Sequence, residues 1–150
     1  MKRAVALQPL SHDHHDALVQ AASLRRAVPA DAAAALTAFL DFWRDHASAH
    51  FRVEEEVLLP AYARRGDPAH PAVIRTLVEH VEIRRDVAEL ARLGAPAGPA
   101  LLRAIGDRLG GHVRYEERVL FPLVEATLAE QELAELGEAV KAAERALRGA

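Results

Sequence analysis

The chain of 150 residues contains no cysteine. Disulfides, iron–sulfur clusters and thiolate zinc sites are therefore excluded, and the composition fits a reducing compartment, so a cytoplasmic location is the expectation. Aromatic residues are scarce, at 5%, and β-branched residues are few, which leaves little to favour strands. Long apolar runs are also missing. No stretch approaches the roughly 20 residues of a membrane span, and the opening "MKRAVALQPLSHDHH" has no apolar segment of signal-peptide length, so no membrane association is expected. Charge of one sign is absent as well. The net charge is -3, with charged residues mixed along the chain and no basic stripe, which speaks against nucleic acid as a partner.

What is present favours helix. Apolar residues make up 51% and charged residues 27%, a globular composition led by alanine, leucine, arginine and glutamate. The length suits one domain, residues 1–150. Proline and glycine divide it into segments. A first helix is predicted from about Leu10 to Ala27, ending before Pro29. A second, with Asp31 as its cap, runs from about Ala32 to Leu59, where Pro60 kinks or ends it. "RRGDPAHP" is a turn, and its His70, like His12, reads as a turn or capping residue. The third helix spans about Ala72 to Leu93 and is broken by "GAPAGP". The fourth runs from Pro99 to Pro122, and Thr127 with Glu130 forms a capping box for a fifth, reaching about Arg148.

Each segment carries an apolar stripe at steps of three and four. The first has Leu7, Leu10, His14, Ala17, Ala21, Leu24 and Val28. The second has Leu36, Leu40, Trp43, Ala47, His50, Glu54, Val57 and Ala61. The third has Val73, Leu77, His80, Ile83 or Arg84, Val87 and Leu90 or Ala91, and the fourth Leu102, Ile105, Leu109, His112, Glu116, Val119 and Leu123. The expected fold is all-α: an antiparallel up-and-down four-helix bundle of two pseudo-symmetric helical hairpins, about residues 7–124. A C-terminal fifth helix, about residues 127–148, packs on its outside or end, or supplies a homodimer contact.

The eight histidines are the unusual entry in the composition. "HFRVEEEVLLP" at His50 and "HVRYEERVLFP" at His112 are two copies of one phrase, and His14 and His80 precede them on the partner helices as an internal repeat. His50 with Glu54, and His112 with Glu116, are four apart and share the inward face of a helix. Two glutamates and four histidines inside a core compensate one another badly without a cation, since an unpaired buried carboxylate costs several kcal/mol. Six nitrogen and oxygen donors are too many for one tetrahedral zinc and suit a dinuclear centre with the glutamates bridging; without sulfur the set points to two iron ions, or to manganese or zinc. Of the three histidines in "SHDHHDAL", His14 lies on the stripe, with His15 as an alternative or additional ligand. His46, one turn before His50, is either a surface residue or a fifth nitrogen ligand; its counterpart in the second copy is Arg108. Glu55 and Glu117 point about 100° away and read as surface residues or as hydrogen-bond partners of ligand imidazoles. Tyr115 packs between helices or brings its hydroxyl near the site. Gly110 and Gly111 permit a close approach or a local bulge, or are simply tolerated.

The doubled H-x-x-x-E-E-x-x-L-x-P phrase, each copy preceded by a helix bearing [DE]-H, resembles the hemerythrin-like (HHE cation-binding) family over about residues 7 to 124. The resemblance implies a four-helix bundle with a di-iron site that binds dioxygen and, in some members, nitric oxide or peroxide. It implies that His14, His50, Glu54, His80, His112 and Glu116 are the iron ligands. Oxygen-carrying hemerythrins have five histidines, whereas the repeat here supplies four, a departure that favours sensing, iron handling or peroxide chemistry over reversible oxygen carriage. The ferritin-like alternative requires Glu-x-x-His, which this chain lacks. Three functions fit: a binding module for dioxygen or nitric oxide, a redox enzyme acting on peroxide or repairing iron centres, and a passive metal or iron store.

Overall fold

A computed structural model describes residues 2–94 and 97–149. Of the "GAPAGP" break, Ala95 and Pro96 lie outside the described residues, but Gly94 ends the preceding helix with φ 60, a left-handed angle that suits glycine. The described residues are helical and include no strand. A 3-10 turn (Val5–Leu7) leads into α1 (Gln8–Arg26). Then follow α2 (residues 32–63), α3 (Pro71–Leu93), α4 (residues 99–127) and α5 (Glu130–Arg148). Among these residues no helix is long and apolar enough to cross a membrane.

The capping roles differ from those predicted. The Asp31 carboxylate turns back to accept from the Val28 amide at 2.8 Å and does not cap α2. Thr127 donates its hydroxyl to the Leu123 carbonyl, so the cap of α5 falls on the next candidates: the Glu132 carboxylate accepts from the Ala129 amide at 3.0 Å. His70 does cap, its Nδ1 accepting from the Ala72 amide at the start of α3.

The two prolines end neither helix. α2 continues past Pro60 to Ala63 and α4 past Pro122 to Thr127, each through a π turn placed just before the proline, Glu54–Leu58 and Glu116–Leu120. Proline has no amide hydrogen and would clash with the carbonyl four residues back; a wider turn accommodates both problems. The extra residue in each turn moves the apolar stripe on by one. Beyond Glu54 the stripe runs through buried Leu58 and Tyr62, with Leu59 buried beside them, whereas Val57 and Ala61 are half-buried. Beyond Glu116 it runs through Leu120 and Val124, with Phe121 buried beside them, whereas Val119 is exposed. In α3, Thr76 is buried and Leu77 exposed, opposite to expectation; nothing in the packing explains the choice.

The core has two apolar halves. One holds Ala17, Ala21 and Leu24 of α1 with Phe39, Phe51, Ile83, Leu90, Leu102 and Leu109. The other holds Leu7 and Leu10 with Leu58, Tyr62, Val73, Leu120, Phe121 and Val124, and takes Leu136 and Val140 from α5. Chain order shows that α1 and α3 run from the second half to the first, and α2 and α4 the reverse. Of α5, Leu136 and Val140 are buried within the chain, and Leu133 and Leu147 pack partly buried against the same half.

α1 and α4 approach closely at Gly106, where an added Cβ would stand 2.7 Å from the Ala21 carbonyl oxygen. Gly110 has more room and Gly111 has nothing near it, so the close approach predicted for the Gly-Gly pair belongs to Gly106; α4 is regular there and no bulge forms. Gly106→Ala should therefore lower stability by about 1–3 kcal/mol by overpacking, read by urea denaturation. Gly111→Ala should raise it slightly through helix propensity.

Candidate metal centre

Between the two apolar halves lies one polar layer. α1 contributes His14, α2 His50 and Glu54, α3 His80, and α4 His112 and Glu116. The repeat builds it: each His-x-x-x-Glu pair stacks on one helical face. Both glutamates are 0% exposed and the four histidines 5% or less, with apolar residues above and below, so the carboxylates are cut off from water. Burying such charges is costly unless something in the layer compensates them.

The six side chains form two groups, His14–His50–Glu54–Glu116 and Glu54–His80–His112–Glu116, each with donor atoms within 4.8 Å of one another. Both glutamates belong to both groups, and each divides its oxygens between them. Glu54 Oε1 lies 3.0 Å from His50 Nε2 and 3.6 Å from His14 Nε2, while its Oε2 lies 3.2 Å from His80 Nε2. Glu116 Oε2 is 3.0 Å from His14 Nε2, and its Oε1 is 3.1 Å from His112 Nε2 and 3.4 Å from His80 Nε2. His14 and His50 bring their Nε2 atoms within 3.1 Å of each other. Close as they are, all four carboxylate oxygens and the Nε2 atoms of His80 and His112 lack a hydrogen-bond partner. Lone pairs that converge without bonding one another fit cations lying between them.

The opposite nitrogen of every imidazole is held by a carboxylate. His14 Nδ1 meets Glu117 at 2.7 Å, His50 Nδ1 meets Asp13 at 3.0 Å, His80 Nδ1 meets Glu55 at 2.8 Å and His112 Nδ1 meets Glu79 at 2.9 Å. An ionised carboxylate only accepts, so each Nδ1 carries the proton and each Nε2 faces inward, the orientation a ligating imidazole needs. This explains the second glutamate of each phrase: Glu55 and Glu117 reach across to the histidine of the other hairpin. Asp13 and Glu79 were not singled out for this role in the sequence. The available signal was the acidic residue just before His14 and His80.

The electrostatics follow. Burial opposes charge on His80, but Glu116, Glu54 and Glu55 outweigh it and push its pKa up to about 11. The same contest, with Glu116 and Glu79, places His112 at about 9, and His14 is held well above the usual imidazole value by Glu116, Glu117 and Glu54. Burial likewise opposes the charge on Glu54, yet the surrounding histidines keep it well below the ordinary carboxyl range. Without a metal, these shifts favour positive imidazoles facing negative carboxylates across the layer.

The remaining predicted residues stand apart. His15 is exposed on α1 and belongs to neither group. His46 is exposed on a third π turn (Trp43–Ala47) and also supplies no atom to the groups. It does line a cavity of about 30 Å³, with His14, His50, His112 and Glu116 at the inner end and Asp13, Asp16 and Arg148 among the outer residues. The Tyr115 ring packs in the second apolar half, with the Arg75 guanidinium 3.8 Å from its centroid. Phe121 and Phe51 stack on His14 and His80, with centroids 5.1 and 3.9 Å away.

The sequence pattern of the Hemerythrin HHE cation binding domain family matches residues 7–124 of the chain. No curated protein and no solved structure matches the chain.

Proposed function

The chain belongs to the Hemerythrin HHE cation binding domain family, and from that membership and the His/Glu layer we propose that it is a dinuclear non-heme iron protein that binds dioxygen or nitric oxide. His14 and His50 would hold one ion and His80 and His112 the other, with Glu54 and Glu116 available to both; manganese or zinc could take the same donors. The two hairpins are then the halves of an antiparallel up-and-down four-helix bundle, with α5 added to it. The observation that carries this reading is the division of each carboxylate's oxygens between two histidine pairs.

Iron in these positions supplies a redox-active Lewis acid for a small ligand. The protein's part is to fix four imidazoles through their Nδ1 partners, to neutralise two cations with two buried carboxylates, and to keep bulk water out with Phe51 and Phe121. The cavity beside His14, His50 and His112 limits the ligand. At about 30 Å³ it has room for roughly one or two water-sized molecules, which suits a diatomic or peroxide. Use in sensing, iron handling or the response to oxidative or nitrosative stress is in keeping with such a site.

Metal analysis with an absorption spectrum of aerobically purified protein tests the proposal. The expected result is two irons per chain with oxo-bridged ferric bands; less than one metal per chain after reconstitution sinks the reading. Rapid mixing of the reduced protein with oxygen then separates a ligand-binding protein, which gives a long-lived adduct, from a redox enzyme, which oxidises at once and consumes added peroxide faster than free iron does.

A further inference from the structure

The four carboxylates that hold the imidazoles are themselves held, each by an arginine. On the His80–His112 side both arginines come from α3: Arg84 meets Glu55 at 3.0 Å and Arg75 meets Glu79 at 2.7 Å. On the His14–His50 side neither comes from a helix that carries a ligand. Asp13, the partner of His50, receives two N–H groups from Arg148 in the last turn of α5, at 2.7 and 3.2 Å. Glu117, the partner of His14, receives Arg3 at 2.7 Å. Arg3 also pairs with Glu125 and lies over the Phe121 ring that stacks on His14.

Arg3 and Arg148 both fall outside residues 7–124, the part of the chain that matches the family. They are partly sheltered, at 19% and 27% side-chain exposure, against 36% for Arg84 and 54% for Arg75. The sheltered two-point contact of Arg148 with Asp13 holds geometry better than an exposed pair does. The two flanking segments also pack on each other, since a Cβ on Gly137 of α5 would stand 3.1 Å from Ala6 Cα.

We propose that Arg148 and Arg3 are positioning residues for one half of the centre, holding His50 and His14 through Asp13 and Glu117, so that the His14–His50 position binds metal tightly only while the flanking segments are docked. The inference rests on the dinuclear reading above. The arginines behind the His80–His112 position come from α3 and not from the flanking segments. Without Arg148, Asp13 can swing away from His50, and the ring loses the partner that aims its Nε2 at the shared carboxylates. Arg148 and Asp13 also line the cavity, so the same contact borders the approach of a ligand.

Anaerobic Mn²⁺ titration of the full chain tests this without any activity assay. Arg148→Ala should weaken one of the two binding steps about tenfold, the lower end of the range for partners of metal-bound imidazoles, and leave the other within about twofold. The background of a second substitution locates the weakened step. With His112→Ala, which leaves the His14–His50 pair intact, Arg148→Ala should still cost about tenfold; with His50→Ala it should cost nothing further. Arg148→Lys should recover part of the affinity, and circular dichroism checks that every variant is folded. Equal weakening of both steps, or of neither, in a chain that binds two ions overturns the proposal. A wild-type chain that binds no pair of ions instead refutes the dinuclear reading beneath it.

Discussion

Glu54→Ala is expected to purify with almost no metal, whereas His50→Ala should retain about half the wild-type content, since it lacks one terminal imidazole at one position only. The difference follows from sharing. His50 belongs to one group of donors, but Glu54 belongs to both, with Oε1 toward His14 and His50 and Oε2 toward His80. Removing the carboxylate takes an oxygen from each group of donors and one of the two fully buried carboxylates from the layer. Glu116→Ala should behave in the same way, its Oε2 facing His14 and its Oε1 facing His112. The metal-free protein should also suffer, because imidazolium rings would lose a fully buried counter-charge, and breaking such a set costs about 3–5 kcal/mol. Elemental analysis of variants purified in parallel, with denaturation curves, gives both readings. Equal metal retention in Glu54→Ala and His50→Ala would mean that the carboxylate serves one position only.

The sequence made this layer legible because the chemistry is repeated. Two copies of His-x-x-x-Glu at helical spacing, on stripes otherwise apolar, place six polar residues where burial is expensive, and all six are buried in the layer. His14 could be separated from His15 by its stripe, and the structure buries the first and exposes the second. The stripes failed beyond Glu54 and Glu116 for a specific reason. Counting by threes and fours assumes regular turns, and the two π turns add a residue before each proline, which exchanges Val57 for Leu58 and Val119 for Leu120. The proline of each phrase was visible, but it reads first as a helix end. The outer supports were harder still. Asp13 to His50 and Glu117 to His14 join different helices, and Arg3 and Arg148 lie more than a hundred residues from their partners on Glu117 and Asp13. No periodicity encodes such pairings; they appear only once the helices are packed.

Stripping the metal should lower the melting temperature, and the loss should grow with pH. Ions that bind only the folded chain stabilise it by about 4 kcal/mol at a free concentration of roughly a thousand times Kd, which for a chain of this length is a shift on the order of 10 °C. The metal-free layer depends on protonated imidazoles facing Glu54 and Glu116. Their pKa values are raised, to about 9 for His112 and about 11 for His80. The stabilisation they give is complete below the ordinary imidazole value near pH 6.5 and is lost as pH rises through those folded values. A ligating imidazole carries no proton on Nε2, so the loaded protein is spared that loss, and loading at neutral pH must release protons. The gap in melting temperature between Mn²⁺-loaded and chelated protein should therefore widen from about pH 7 to about pH 9. Scanning calorimetry across that range measures it directly, and acidification after adding metal to an unbuffered sample checks the proton release independently. A gap that narrows as pH rises would show that the metal-free layer is not held by imidazolium–carboxylate pairs, and so that its histidines do not exchange protons for metal.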